Sequence, residues 1–335
     1  MAASEGGLAV TLAVMQKSES IVIVTPALAD ANNGNWQTAR RWSRMLATAY
    51  RVRLAAQWSG GDESLLVALH ARRSAASVSA WRAAHPNRPL LLALTGTDLY
   101  RDIDTDASAQ RSMALADALV VLNELGPRRL SATLQAKCHV LLQSCSARVA
   151  KTPTQRHLRA LMVGHMRAEK DPLTYLSAAH LLSDRADILL DHLGAALDPA
   201  LGAQALALQA SHPHYRWLGA VSHATARSRI QSAHVLVHPS RMEGGAHVVT
   251  EAMRSGTPVL ASRIDGNIGL LGGDYAGYFE PGDAVGLAAL LEQARDDPAM
   301  LPALRAQVTE RAPLFSPQAE AATLHRVVAA LLAKP

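Results

Sequence analysis

"HPSRMEGGAHVVTEAMRSGTPVLASRIDGN", residues 238–267, holds two carboxylates eight residues apart, Glu243 and Glu251, with a Gly-Gly pair directly after the first. The run that leads into it, "AHVLVHPS" (233–240), reads as a buried strand that stops at Pro239. "SRMEGG" is then the loop at the strand's carboxyl end, and a helical pattern starts near Gly245 or Ala246. The first amides of such a helix have no intrahelical partner and carry the positive end of its dipole. Gly244 and Gly245 leave that backbone unscreened, which suits a phosphate. Two carboxylates do not suit one, because both sides would be acceptors; they accept from hydroxyls. Glu243 in the loop and Glu251 deeper on the helix therefore ask for sugar hydroxyls flanking a phosphate, as in a nucleotide sugar. Taken alone, Glu243 reads better as a helix cap and Glu251 as a solvated helix position; it is the strand, the glycine pair and the neighbouring motifs together that favour a ligand.

Outward from this stretch the chain alternates short apolar runs with helical patterns. "IVIVTPA" (21–27), "RVRLAAQW" (51–58), "SLLVALHA" (64–71), "PLLLALTG" (89–96), "DALVVLNE" (117–124) and "CHVLLQS" (138–144) are strand candidates in the first half. "RALMVG", "ADILLDHLG", "YRWLGAV", "AHVLVHPS" and "TPVLASR" follow in the second. "NGNWQTARRWSRMLATAY" (33–50) puts Ala39, Trp42, Met45, Leu46 and Ala49 on one helical face and Arg40, Arg41 and Arg44 largely on the other; the last helix, about residues 317–333, groups Ala321, Leu324, Val327, Val328 and Leu331. Such βαβ series predict parallel sheets covered by helices, an α/β fold of two doubly wound Rossmann-like halves facing each other across a cleft. Residues 145–158 lose periodicity and read as the linker. The expected division is a disordered extension over 1–19, a first domain over 20–150, a second over 151–315, and a final helix over 316–335 that can pack back on the first domain.

Of the 335 residues, 49% are apolar, 18% charged and 4% aromatic, so the core is built mainly from Ala, Leu and Val. No apolar run reaches the roughly 18 residues of a membrane span, so no stable membrane insertion is expected. Cys138 and Cys145 are the two cysteines, which excludes a disulfide framework and fits a reducing, cytoplasmic setting. The first twenty residues carry an acid where a secretory signal has a basic segment. A net charge of +5 is spread among acids, and few aromatics accompany it, so a cleft for a small anion is a better reading than a nucleic-acid surface. His212, His214, His234, His238 and His247 lack the spacing of a metal site, and no metal or cofactor is expected.

The stretch "HPSRMEGGAHVVTEAMRSGTPVLAS" resembles the E-x7-E segment of the GT-B glycosyltransferases of family GT4. The resemblance implies that Glu251 binds the donor ribose, and that Glu243 and the backbone of Gly244, Gly245, Ala246, His247 and Val248 face the donor sugar and diphosphate. "VGHMRAEKDP" (163–172) is similar to the family's G-R-x4-K segment, whose two cations neutralise the departing diphosphate. Lys170 matches the lysine; the arginine position holds His165, with Arg167 two residues on, and Arg167 is favoured for the second charge. "NNGN" (32–35) resembles the family's glycine loop, which implies a donor contact at Gly34 and an acceptor contact at Asn35. In "LTGTDLYRD" (94–102) Thr95, Gly96 and Thr97 stand where many members carry a histidine, and Asp98 and Arg101 are candidate sugar or acceptor contacts, against a helix cap and a solvated arginine. "LHARRSA" adds His70, Arg72 and Arg73 at another strand end.

A narrower likeness runs through "NGN", "TGTDLYRDI", "VVLNELG", "SRMEGGAHVVTEA" and "ASRIDGNIGLLGGDYAGYF". Together they resemble the selenosugar synthase family of selenoneine biosynthesis. That resemblance implies a UDP-sugar donor, UDP-N-acetylglucosamine or UDP-glucose, and selenophosphate as a small anionic acceptor. Such a nucleophile is already ionised near neutral pH and tolerates the missing histidine, while Arg72 or Arg101 would hold its phosphate oxygens. A GT4-type enzyme with a hydroxyl acceptor and a UDP-sugar epimerase of the same fold are the alternatives.

Overall fold

The computed structural model describes residues 19–26 and 34–333. Asn32 and Asn33 of the glycine loop, and the N-terminal extension through residue 18, lie outside the described residues.

The chain divides into two compact units. One runs to Gln143 and takes back the segment from Gln318; the other is Ser144–Pro317. In the first, β1 (Ser20–Val24), β2 (Arg51–Ala55), β3 (Leu65–Leu69), β4 (Leu90–Leu94), β5 (Ala118–Val121) and β6 (Cys138–Val140) pair in the order β2-β1-β3-β4-β5-β6. Every pairing is parallel. The helices α1 (Gly34–Leu46), α2 (Ala75–Ala84) and α3 (Ala107–Leu115) provide crossovers. Strands covered on both faces need apolar side chains in both directions, which is why β3 and β4 are continuous runs of Leu, Val and Ala with no polar alternation. Ile21, Ile23, Leu65, Val67 and Leu69 face one way with Trp42 and Leu46 of α1. Val22, Val24, Leu66 and Ala68 face the other with Val78 and Trp81 of α2 and Met113 of α3.

The second unit repeats the scheme with β7 (Leu158–Val163), β8 (Ile188–Leu193), β9 (Tyr215–Trp217), β10 (Val235–His238), β11 (Val259–Ser262) and β12 (Tyr278–Phe279), all parallel. The order is β12-β11-β10-β7-β8-β9, and the progression reverses between β7 and β10. Ligands of open parallel sheets bind beyond the carboxyl ends of the strands where the order reverses. Its helices are α4 (Pro172–Leu181), α5 (Pro199–Ser211), α6 (His223–Ser232), α7 (His247–Met253), α8 (Asp265–Leu271), α9 (Ala284–Asp296) and α10 (Met300–Arg311).

The last helix, α11 (Pro317–Leu332), puts Leu324, Val327, Val328 and Leu331 into the same core layer as α1. Its Glu320, 1% exposed, accepts from Trp42 Nε1 at 2.8 Å and from Arg41 Nε at 2.8 Å. A buried carboxylate is tolerable only when paired and hydrogen-bonded, so this contact fixes the register of α11 on α1. Each strand read from the apolar runs is present, and the edge strand β12 comes in addition. Among the described residues no helix is long and apolar enough to cross a membrane.

Candidate active site

The two loops singled out by the sequence leave adjacent strands. Val235, Leu236 and Val237 of β10 pair with Ala160, Leu161 and Met162 of β7. Lys170 therefore arrives in the loop after β7 and Glu243 in the loop after β10, at the reversal of the strand order. Lys170 Nζ pairs with Glu243 Oε1. Two further contacts join the same loops: Arg241 N donates to Glu169 O at 2.9 Å, and Arg241 Nε to Asp171 Oδ2 at 2.9 Å. Asp171 caps α4 with a left-handed φ of 44° and also accepts from Thr174 Oγ1 at 2.8 Å.

Burial by itself raises the Glu243 carboxyl, but the Lys170 ammonium and His238 Nε2, 3.1 Å from Oε1, outweigh it and hold the group well below the usual range. His238 is itself 2% exposed, and burial lowers its pKa. From behind, Gly266 leaves no room to spare: a Cβ there would stand 2.1 Å from the Glu243 carbonyl oxygen. Ser262 Oγ donates to Ser240 O at 2.5 Å, and the buried Asn267 donates to Ser262 O at 2.9 Å. The loop is thus clamped from β11 and α8 as well as from the β7 side.

His247 opens α7, with Ala246 as the residue before it. Val249, Thr250, Glu251, Ala252 and Met253 are buried, so Glu251 does not lie on a solvated helix face. Its Oε1 receives His223 Nε2 at 2.5 Å, with Arg227 Nε at 3.9 Å and His247 Nε2 at 3.8 Å. Arg227 is itself buried and anchored through Nη2 on Ser146 O at 2.7 Å. His223 and Arg227 were not read from the sequence. Both sit on α6, one turn apart, and nothing in "SHATARSRI" distinguishes them from a solvated helix.

His165 and Arg167 are exposed on the loop after β7. His165 Nδ1 accepts from the Ala195 amide at 3.0 Å, and burial, with Arg167 and Lys170 nearby, lowers its pKa. A neutral imidazole with Nδ1 occupied presents an Nε2–H donor, not a cation. Gly244 is buried, while Gly245, His247 and Val248 are partly exposed along the mouth of α7.

In the first unit Gly34 opens α1, exposed, with Asn35 beside it partly buried. The loops after β3 and β4 meet. Asp98 Oδ1 accepts the amides of Thr95 at 2.8 Å and Gly96 at 2.9 Å, and Oδ2 that of Ala71 at 3.0 Å. The carboxylate is fully buried with both oxygens engaged by loop amides, so Asp98 helps to build the loop. His70, with φ of 72° and 2% exposure, bonds through Nε2 to Thr97 Oγ1 at 3.1 Å. A histidine therefore does reach the β4 loop, from the neighbouring strand end, although burial lowers its pKa. Arg72 and Arg101 remain exposed, and both bond to Asp102. Among the described residues no three His, Cys, Asp or Glu side chains group as metal ligands.

Comparison with known proteins agrees with this architecture. Residues 148–314 match the family model described as glycosyl transferases group 1. No curated protein matches this sequence. Among solved structures, sucrose-phosphate synthase from Thermosynechococcus elongatus superposes with a TM-score of 0.77 at 16% identity, over 94% of this chain and 99% of that one. HepE from Anabaena, solved with UDP and glucose, gives 0.76 at 13%, over 93% and 100%. A glycosyltransferase from Rickettsia africae gives 0.70 at 14%, over 95% and 99%. At these identities the likeness is one of fold. Residues 148–314 thus resemble the group 1 glycosyltransferases, and the chain is built on the GT-B fold.

Proposed function

We propose that the protein transfers a sugar from a UDP-sugar, UDP-N-acetylglucosamine or UDP-glucose, to selenophosphate. The observation that carries the donor half is the Lys170–Glu243 pair, which locks together the loops of the two strands where the sheet order reverses. UDP as the nucleotide draws support from HepE, whose structure holds UDP and glucose. In this reading Glu251 accepts from the ribose hydroxyls. The backbone from Gly244 to Val248 approaches the diphosphate and sugar.

The reaction breaks the bond between the anomeric carbon and the diphosphate oxygen, and the electron pair leaves with UDP. The selenium of the acceptor forms the new bond to the same carbon, with its phosphate still attached in that step. Charge develops on the leaving diphosphate, so preformed cations there lower the barrier. Lys170 supplies one, held in place by Glu243. Arg167 supplies the second, because the neutral His165 can only donate a hydrogen bond. The acceptor side is the loop cluster after β3 and β4, with Asn35, Arg72, Thr95 to Thr97 and Arg101. No metal or other cofactor takes part in this scheme, and the setting is cytoplasmic.

The test is UDP release from each UDP-sugar with and without selenophosphate, followed by mass analysis for a selenium-bearing sugar. Selenophosphate-dependent release with that product supports the reading. Release that ignores selenophosphate leaves a glycosyltransferase with a hydroxyl acceptor, and sugar interconversion without release points to the epimerase.

A further inference from the structure

We propose that Asp102 fixes Arg72 and Arg101 as the two arms of a site for a tetrahedral oxyanion of the phosphate class, at the carboxyl edge of the first sheet. The proposal rests on the reading of this half as the acceptor side, and it names the residue that makes the arginines a site.

The geometry begins with adjacent strands. β3 and β4 pair directly, so the loops that carry Arg72 and Arg101 leave the sheet side by side. After β4 the chain does not enter an ordinary helix: Asp98–Asp102 form a π-helical turn, a rare local widening that occurs often at functional sites. It places Asp102 behind Arg101 and within reach of Arg72. Asp102 is 6% exposed, and its two oxygens divide the work. Oδ2 accepts Arg72 Nε at 2.8 Å, and Oδ1 accepts Arg101 Nε at 3.3 Å. The guanidinium side chains themselves stay 40% and 47% exposed. A bond at Nε pins the plane of a guanidinium, and that planar fork matches two oxygens of a phosphate.

The support beneath the arms is rigid. Asp98 gathers three amides from both loops, and the His70–Thr97 bond ties them a second time. Ser74 Oγ closes the β3 loop on Leu69 O at 2.6 Å. Such a supported pair loses little freedom on taking up a ligand.

The same accounting argues against a neutral sugar acceptor at this place. A neutral hydroxyl offers no charge for two guanidinium forks to pair with, and the buried Asp98 carboxylate is turned inward onto the loop amides. Net charge is not the reason for the site: Arg72, Arg73 and Arg101 stand against Asp98 and Asp102, and Arg72 also lowers the Asp106 carboxyl. What favours the anion is the pair of directed forks.

The experiment uses the full chain with thiophosphate, a stable oxyanion with a soft atom, measured by calorimetry, alongside UDP as a second ligand. Asp102→Asn keeps the shape and removes the charge that aligns the arms; Arg72→Ala removes one arm from an exposed position. Thiophosphate affinity should fall about tenfold or more in both, with UDP affinity unchanged. If UDP is released with selenophosphate, Asp102→Asn should raise the acceptor KM with kcat within about twofold, and Asp102→Glu should recover part of the loss. Unchanged thiophosphate affinity in folded Arg72→Ala and Asp102→Asn overturns the proposal, as does no saturable binding by the wild type. Thiophosphate binding that depends on Asp102, without any UDP release, upholds the site and defeats the selenophosphate reading. UDP release with an acceptor KM indifferent to Asp102 does the reverse.

Discussion

His223 Nε2 stands 2.5 Å from Oε1 of Glu251, on the carboxylate that the proposed donor site assigns to the ribose. Behind the same oxygen Arg227 Nε lies at 3.9 Å, so the carboxylate is flanked by a buried permanent cation and an exposed imidazole. A ribose has to share or displace the His223 contact. His223→Ala should therefore tighten UDP binding by about fivefold, the equivalent of one net hydrogen bond of roughly 1 kcal/mol. Glu251→Ala should weaken it, by about 1.5 to 3 kcal/mol for each ribose hydrogen bond to the charged carboxylate. Calorimetry with UDP checks both; unchanged affinity in Glu251→Ala would remove the ribose from this place.

The loop after β7 gives a ranking. Lys170→Ala should lower kcat by about a hundredfold or more, since it takes a cation from the leaving group and strands a buried carboxylate. Arg167→Ala should cost about tenfold, and His165→Ala less, because its imidazole offers one neutral hydrogen bond. Steady-state rates of UDP release order the three variants. A larger loss in His165→Ala than in Arg167→Ala would transfer the second charge to the histidine.

Gly266 and Gly34 form a matched pair of substitutions. A Cβ at Gly266 meets the Glu243 carbonyl oxygen at 2.1 Å, whereas at Gly34 it meets nothing within 4 Å among the described residues. Gly266→Ala should displace the Glu243 loop, destabilise the fold by roughly 1 to 3 kcal/mol and abolish most donor binding. Gly34→Ala should leave stability unchanged within about 0.5 kcal/mol. Thermal melts with and without UDP distinguish a displaced loop from an unaffected one.

His192 supplies a pH dependence that is independent of catalysis. It is fully buried; Nε2 lies 3.1 Å from Gly164 O and Nδ1 3.3 Å from the Tyr215 hydroxyl. Burial pulls its pKa from 6.5 to about 4, against the raising effect of the Gly164 carbonyl. The unfolded chain then binds more protons than the folded one between these values. The stabilisation is fully present above pH 6.5 and is lost as pH falls toward 4, on the order of 3 kcal/mol at about 1.4 per unit. The buried His70 and His238 and the partly buried His234, also lowered, act in the same direction. Melting temperatures between pH 7 and 4.5 should fall less steeply in His192→Gln than in the wild type.

Eleven of the twelve strands among the described residues were legible in apolar runs such as "LLVAL" and "LLLAL", because a parallel strand buried on both faces needs that composition. β12 escaped, since two residues, Tyr278 and Phe279, carry no pattern and owe their strand to pairing with Ala261 and Ser262. Helix α11 announced its apolar face, but not that Glu320 would meet Arg41 and Trp42, 279 and 278 residues away. Asp98 stayed open between a ligand contact and a cap because an acid at a strand end looks the same whether it faces solvent or the loop's own amides.

What the sequence determined by itself is local: periodicity, helix starts, and the order of strands, helices and loops, with Glu243 and Lys170 in loops after strands and Glu251 on the helix that follows. Those signals span a few residues and survive without neighbours. The tertiary structure alone decided which loops meet. Lys170 finds Glu243 across 73 residues because β7 and β10 are adjacent at the reversal of the sheet. By the same long-range packing His223 and Arg227 converge on Glu251, His70 on Thr97, and two arginines on Asp102. No spacing rule records such contacts, since their distance is set by strand order and helix docking and not by position along the chain.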